Sequence, residues 1–447
     1  MYDVVVIGSG MGGLSVAALL AQSGFKILLT EKYERLGGNF STIEYKGFKL
    51  PTGAVDIELE GPVEKVFRST GADFTISPVP AHYYWIRGHY YKLPEQGGLK
   101  ALLDMLNKTK AERIKLVGRL AKEIATEKIA GAFKRAIKGE EKVEMSFRDW
   151  LLQYTDDEYV LGIFRSIIFS LFSVNESEMP ASTFFRFMSR EVGHGFRSYG
   201  HAPHGNIALM NSLADVIKGN HGEVWTNAET KKIVIKNGKV RSVVISKDGR
   251  EVDIATKIVI SDIGPQKTVE IAGKNNIDPT YVKRVEDLKP CPIITFLIAS
   301  DQPLVDIKGT IGIVGFRNLY CIDPMSNTCP EVAPPGKHLL VTFGNPPSSL
   351  YPMNARMEIE KYLQDLEEIF PNFQNRAEIL RIDTRNIDDE WPAYHVFPGQ
   401  ELSTKTPIEN LYMVGDGVKR PGLMGLPGCA QTGLDVAELV KGEIKLH

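Results

Sequence analysis

The chain is poor in cysteine: its 447 residues hold four, Cys291, Cys321, Cys329 and Cys429. No two form a C-x-x-C pair or stand at zinc-finger spacing. Neither a disulfide scaffold nor a cysteine metal site is therefore expected, and reduced thiols in a cytoplasmic protein are the reading. An excess of one charge is also lacking. A net charge of −2 gives no bulk attraction to nucleic acid, which is not expected as a partner. No apolar run reaches the about 18 residues of a membrane span. The opening residues read as a core strand rather than a signal peptide. Internal repeats and low-complexity tracts are missing as well. What remains, with 43% hydrophobic and 24% charged residues, is an ordinary folded chain of two or three domains.

The first residues carry the strongest pattern. Val4 to Ile7 is a short β-branched run, the mark of a strand buried on both faces of a parallel sheet. Gly8-Ser9-Gly10-Met11-Gly12-Gly13 follows and fits G-x-G-x-x-G at Gly8, Gly10 and Gly13. A helix-period stretch runs from Leu14 to Ala21 and stops at Gly24, and a second apolar run from Phe25 leads to Glu31. Each position has a physical task. Gly8 permits a tight turn, Gly10 lets backbone approach a pyrophosphate, and Gly13 lets helix and strand pack closely. The helix N-terminus offers free N–H groups and a positive dipole end to phosphate. Glu31 is placed to accept hydrogen bonds from ribose hydroxyls and to disfavour a 2′-phosphate.

Three blocks extend this pattern. Glu31-Lys32-Tyr33-Glu34-Arg35-Leu36-Gly37-Gly38-Asn39 continues through Thr42 to Phe48 and Gly53. Trp225 to Thr230, followed by a strand to Ile245 beyond the hairpin signal Asn237-Gly238, is the second block. The third is the apolar Leu411 to Val414, then Gly415-Asp416-Gly417 and Gly422 to Cys429 before a terminal helix. Together they resemble the fingerprint of the glutathione-reductase-like FAD proteins, in particular the flavin amine oxidase and phytoene desaturase superfamily.

The resemblance implies an α/β fold. A Rossmann-like FAD/NAD(P)-binding domain of three layers around a central parallel sheet would carry an α+β substrate domain inserted discontinuously. It implies FAD, bound non-covalently. Gly8, Ser9, Gly10, Met11, Gly12, Gly13, Glu31, Lys32, Gly37, Gly38 and Asn39 would hold the ADP half. Thr230 would read the adenine through its backbone. Gly415, Asp416, Gly425 and Leu426 would meet the ribityl chain and flavin. Two positions depart from the family: Asn39 stands where Arg is usual, and Pro51 where Asp is common. Asn39 brings no charge, so weaker phosphate affinity is expected there. Cys429 follows the Gly-Asp motif, whereas a flavin-linking cysteine lies before it, so it reads as a small buried thiol.

The expected FAD domain comprises residues 1–60, 200–270 and 395–447. The substrate domain comprises 61–199 and 271–394, with a helical segment at 99–190. Amphipathic periodicity runs from Leu99 to Ile137, with lysines including Lys115 and Lys122 on the polar face. A solvated face is the plainer reading, and peripheral contact with anionic lipid the sharper one. Pro292 to Ala299, Ile311 to Val314 and Leu339 to Phe343 read as strands of a smaller sheet with helices on one side, and Arg356 to Phe370 as a helix. Phe164 to Phe172 and Phe184 to Met188 are core or cavity wall. His194, His201 and His204 make a poor metal site, with no i, i+4 pair and no nearby acid, so no metal is expected. Pro203-His204-Gly205-Asn206 resembles a family segment near the flavin end of the substrate tunnel. His204 and Tyr394 are therefore pocket candidates, with Trp391 and Phe397 beside Tyr394.

A single dinucleotide fingerprint and no C-x-x-C pair exclude a disulfide reductase. Electrons would leave the flavin for oxygen, a quinone or a carrier. The ending Gly422 to Cys429 looks most like phytoene desaturases, carotenoid isomerases and retinol saturases. That implies an oxidoreductase acting at C–C bonds of a hydrophobic, isoprenoid-like small molecule. An amine oxidase or protoporphyrinogen oxidase-like enzyme is the alternative. A lipid-binding protein without chemistry, of the GDP-dissociation-inhibitor type, is a further one, disfavoured by the intact Gly8, Gly10, Gly13, Glu31 and Asp416.

Overall fold

The computed structural model describes residues 1–93, 110–133, 145–191, 198–386 and 395–443. Two seven-stranded sheets organise these residues. In the first, strand Tyr2–Ile7 lies between Ile27–Thr30 and the end of Arg250–Ser261, all parallel. Glu223–Trp225 and Leu411–Met413 complete the parallel part on either side. The chain order across the sheet is third, second, first, fourth, fifth. This arrangement opens a crevice at the carboxyl ends of the strands where the order reverses. Strand Arg250–Ser261 is twelve residues long. Its first half pairs antiparallel with Lys239–Lys247, which pairs with Ala228–Lys236. Asn237 and Gly238 both have positive φ, as the expected hairpin turn requires.

Alternation sorts the strand side chains into two cores. Val4, Val6, Leu29, Ile258 and Ile260 face helices Met11–Gln22, Pro62–Thr70, Asn206–Gly219 and Gly425–Glu443. Val5, Ile7, Leu28, Val259 and Met413 face the antiparallel meander and helices Pro265–Ala272 and Pro279–Glu286. The result is the three-layer architecture. Its boundaries differ from those expected. Val63, Val66 and Phe67 belong to the first of these cores, and Val282, Val285 and Leu288 to the second. Residues beyond 60, as far as Phe74 and Ile76, and beyond 270, as far as Leu288, thus pack into the first unit's cores.

The second sheet runs in the order Ala377–Arg385, Ile293–Ser300, His338–Gly344, Leu319–Asp323, Ile311–Ile313, Tyr83–Ile86, His89–Lys92. It is not smaller than the first. Ala377–Arg385, Leu319–Asp323 and the four-residue Tyr83–Ile86 and His89–Lys92 were not expected: the first is charged, and the last two are too short to stand out although Tyr83–Ile86 is aromatic and apolar throughout. Helix Ala355–Ile369 covers one face through Tyr362 and Leu366. The other face meets the hairpin Thr42–Pro51, whose Phe48 and Leu50 pack on Leu297 and Val341. Helices Phe147–Leu152, Glu158–Phe172 and Ala181–Glu191 form a separate apolar block rich in phenylalanine. Helix Lys110–Phe133 packs on the last of these. Lys115 and Lys122 on it are exposed, and the remainder of the 99–109 and 134–138 segments lies outside the described residues. Among the described residues no helix is long and apolar enough to cross a membrane.

The two ends of the chain meet in the first unit. A side chain at Gly433 would come within 2.7 Å of Ser15 Cβ and 3.1 Å of Gly12 O. Gly442, later in the same helix, has nothing near its missing Cβ. The two glycines therefore respond to alanine with opposite signs. Gly442→Ala raises stability by up to about 1 kcal/mol through helix propensity. Gly433→Ala lowers it by about 1–3 kcal/mol through overpacking. Urea unfolding of the two variants beside the parent checks this.

Candidate functional site

The carboxyl ends of the parallel strands open into a cleft of about 700 Å³. That is the upper part of the roughly 300–1,000 Å³ range of small-molecule sites. Strand Tyr2–Ile7 delivers the glycine turn to its floor. Gly8 has φ +94° and its N–H donates to Thr30 O at 2.8 Å. A Cβ at Gly13 would lie 2.2 Å from Gly8 O, so only glycine lets the helix start this close to the strand. Gly8, Ser9, Gly10 and Met11 line the cleft, whereas Gly12 and Gly13 do not; they are packing positions. Gly10 and Gly13 sit against Asp262, whose Oδ2 accepts from Gly13 N–H at 2.8 Å.

Glu31 is fixed by the turn it faces. Its Oε2 accepts from Ser9 N at 3.0 Å and Ser9 Oγ at 2.6 Å, and its Oε1 accepts from Tyr33 N at 3.0 Å. Lys32, Gly37, Gly38 and Asn39 line the same wall. Across from them the Thr30 and Thr230 hydroxyls share a hydrogen bond of 2.9 Å, and Thr230 lines the cleft with Ala228.

The C-terminal block closes the other end. Gly415 has φ +97°, and a Cβ there would sit 2.5 Å from Asp262 Oδ1. Gly415, Asp416, Gly425, Leu426 and Cys429 all line the cleft. Asp416 accepts from Lys419 Nζ at 2.9 Å, His395 Nδ1 at 3.1 Å and Val396 N–H at 2.5 Å. Burial alone would raise its pKa, but Lys419, His395 and the Val396 N–H hold the carboxyl well below the usual range. Lys419 is itself buried, and Asp416 and Glu401 keep it charged against burial. Burial, reinforced by Asp416 and Asp262, pushes the Cys429 thiol up, so it stays protonated rather than acting as a thiolate.

The tertiary structure adds cations that the linear pattern does not reveal. Arg35 lines the cleft and donates to Gly38 O at 3.1 Å. Arg381 and Arg385, on the edge strand of the second sheet, line it too. Burial lowers the pKa of Arg35, and its two arginine neighbours lower it further. Glu31 and Asp383 offset part of this charge, Asp383 by accepting from Arg381 Nε at 2.8 Å, and a bound diphosphate would balance more of it. The cleft thus holds arginines although Asn39 brings no charge. The residues present fit FAD: a glycine turn and helix N-terminus for phosphate, an acid for ribose, and a second anchor for the ribityl end.

Of the other candidates, His204 is exposed and does not line the cleft, while His201, three residues earlier, is buried. His201 ends strand Tyr199–His201 and is packed inside, whereas His204 falls in the turn that follows, which a motif match centred on His204 does not capture. Tyr394 and Trp391 lie outside the described residues. Phe397 is buried in the phenylalanine-rich block.

A glycine turn on the first strand, an acid on the second and a returning Gly-Asp anchor define a dinucleotide-binding flavoprotein. The chain belongs to the family of flavin containing amine oxidoreductases, whose pattern matches residues 11–441. It is an FAD-dependent oxidoreductase of that superfamily. An uncharacterised protein of Methanocaldococcus jannaschii is 27% identical over 442 residues, covering 97% of this chain and 98% of the relative. The 15-cis-phytoene desaturase of Capsicum annuum is 23% identical over 476 residues, covering 99% of this chain and 78% of the desaturase. The crystal structure of an oxidoreductase from Methanosarcina mazei superposes with a TM-score of 0.81 at 28% identity, covering 98% of this chain and all of that one.

Two outcomes follow from the charges. Lys419→Met takes the lysine charge from Asp416 and leaves it only His395 and the Val396 N–H, so it destabilises by about 3 kcal/mol and weakens FAD retention. Urea unfolding and flavin fluorescence on dilution measure both. Asp262 titrates the other way. Burial, with Glu31 nearby, pushes its carboxyl up to about 7 from 3.8, against the Gly13 and Gly10 N–H groups. Between those values the folded chain keeps a proton that the unfolded chain has released, so its contribution to stability is full below pH 3.8 and is lost as pH rises to about 7. Asp262→Asn removes that loss. Melting curves of the FAD-free protein should show the variant gaining on the parent as pH rises through this window; parallel profiles would refute it.

Proposed function

We propose that this FAD-dependent oxidoreductase acts on a C–C bond of a hydrophobic, isoprenoid-like substrate. One observation carries the reading. The phenylalanine-rich block of helices Glu158–Phe172 and Ala181–Glu191 packs directly on Phe397 and Met424. Those residues flank His395 and Gly425, which line the flavin end of the cleft. An apolar body thus abuts the redox end of the site. The likeness to a phytoene desaturase along nearly the whole chain points the same way.

FAD, when bound, accepts a hydride equivalent from a substrate C–H bond. The chain supplies position and charge. Glu31 and the glycine turn hold the ADP half. Asp416, kept anionic by Lys419 and His395, offers a fixed acceptor at the ribityl end. The N-terminus of helix Gly425–Glu443 turns its free N–H groups and dipole toward the flavin end, where negative charge develops on reduction. The apolar block keeps that end dry.

Anaerobic mixing with phytoene in detergent micelles tests the proposal. The visible flavin band should bleach, and mass spectrometry should find a product lighter by one pair of hydrogens. Re-oxidation with oxygen or a soluble quinone then identifies the acceptor. Bleaching by putrescine or benzylamine but not by phytoene would replace this reading with an amine oxidase. Acid precipitation of the same sample should release all the yellow colour, as non-covalent binding requires.

A further inference from the structure

We propose that Asp56, His201, Asp323 and Thr310 form a binding site for one divalent transition-metal cation where the two sheets meet. Sequence alone argued against a metal at these histidines because no acid stands near them. The fold supplies the acids from far away: Asp56 and Asp323 are 145 and 122 positions from His201. Asp56 follows the hairpin that reaches from the first unit. His201 lies on the short strand Tyr199–His201, which pairs with Ile57–Glu58 and Ser77–Pro78. Asp323 ends one strand of the second sheet, and Thr310 precedes another.

The geometry is that of a coordination shell. His201 Nε2 lies 3.1 Å from Asp56 Oδ1 and 3.0 Å from Asp323 Oδ2. Thr310 Oγ1 lies 3.2 Å from Asp56 Oδ2, 3.3 Å from Asp56 Oδ1 and 3.1 Å from Asp323 Oδ2. The nearest ligand atoms of the two acids and the histidine all fall within 4.8 Å of one another. Ligand atoms held about 2.1 Å from a zinc-sized ion sit roughly 3.0–3.4 Å apart.

Protons are too few to account for these contacts. Five close contacts share the single Nε2–H and the single threonine hydroxyl hydrogen. The converging atoms are mostly lone pairs. Among the described residues neither carboxylate has a Lys or Arg partner; each pairs with His201. Asp323 is 1% exposed, and its Oδ1 is buried without a partner. Buried carboxylates with so few donors demand a positive charge. A cation at the centre satisfies the converging lone pairs at once; the His201 proton would move to Nδ1, which is buried and has no hydrogen-bond partner in this arrangement. One nitrogen and three oxygens favour a borderline ion such as Zn²⁺ or Mn²⁺ over Ca²⁺, which wants more oxygens. The Asp56 side chain is 31% exposed and provides the open edge by which the ion enters. The ion would pin the hairpin, the small sheet and the second sheet together.

The test uses the full-length holoprotein after dialysis against a chelator. Titration with Zn²⁺ alone, followed calorimetrically, should give one site per chain. Saturation should raise the melting temperature by roughly 3–5 °C. Asp323→Asn and His201→Gln should each weaken binding by at least about tenfold. Circular dichroism verifies that the variants fold; if Asp323→Asn does not, the more exposed Asp56→Asn gives the same reading. No binding by the parent overturns the proposal and leaves His201 as an imidazolium between two carboxylates. Zn²⁺ affinity unchanged in the folded variants overturns it equally.

Discussion

The architecture hangs on backbone approaching backbone where the two ends of the chain meet. A Cβ at Gly12 would fall 2.8 Å from Gly415 N, and one at Gly433 would collide with Ser15. No side chain larger than hydrogen fits these contacts. They bring the N-terminal helix, the Gly-Asp turn and the C-terminal helix to one end of the parallel sheet. The cleft exists because strand order reverses there, but its depth and composition come from this packing. The floor of the cleft and its Gly-Asp end are attached to these tightly apposed segments.

Charge in the cleft is arranged by compensation rather than by single residues. Asp416 remains anionic because Lys419, His395 and a backbone N–H outweigh its burial. Asp262, equally enclosed but facing only backbone donors and another acid, is driven toward neutrality. Two aspartates beside the same turn thus differ in charge below about pH 7, because of what surrounds them. Arg35, Arg381 and Arg385 offset them with positive charge. Two of these come from the second sheet, so the second unit completes the site as well as covering it.

The units interlock. The hairpin Thr42–Pro51 belongs to the first unit by chain order yet buries Phe48 and Leu50 against the second sheet. Just beyond it, Asp56 reaches His201 and Asp323. The phenylalanine-rich block packs on the segments around His395 and Gly425. Relative movement of the units would therefore disturb the redox end of the cleft directly, so rigidity at this seam protects the site's geometry.

Local pattern determined much of this protein. The β-branched run, the glycine spacing and Glu31 depend on neighbours within about thirty residues, and strand, turn and helix follow from steric rules that act over that range. The second anchor at Gly415 and Asp416 was picked out by resemblance to the family's closing motif, and the three-layer arrangement was implied by the same resemblance. Long-range contacts decided the rest. The edge strand Ala377–Arg385 is too charged to announce itself, and pairing with Ile293–Ser300 makes it a strand. Asn39 looked like a lost charge until folding brought Arg381 and Arg385 to the same cleft. His204 and His201 are alike in sequence, and packing buried the one that ends a strand while the turn beyond it left the other exposed. The acids that meet His201 lie more than a hundred positions away. Sequence spacing carries no information about such meetings, because they are fixed by how sheets and helices stack rather than by any residue's neighbours along the chain.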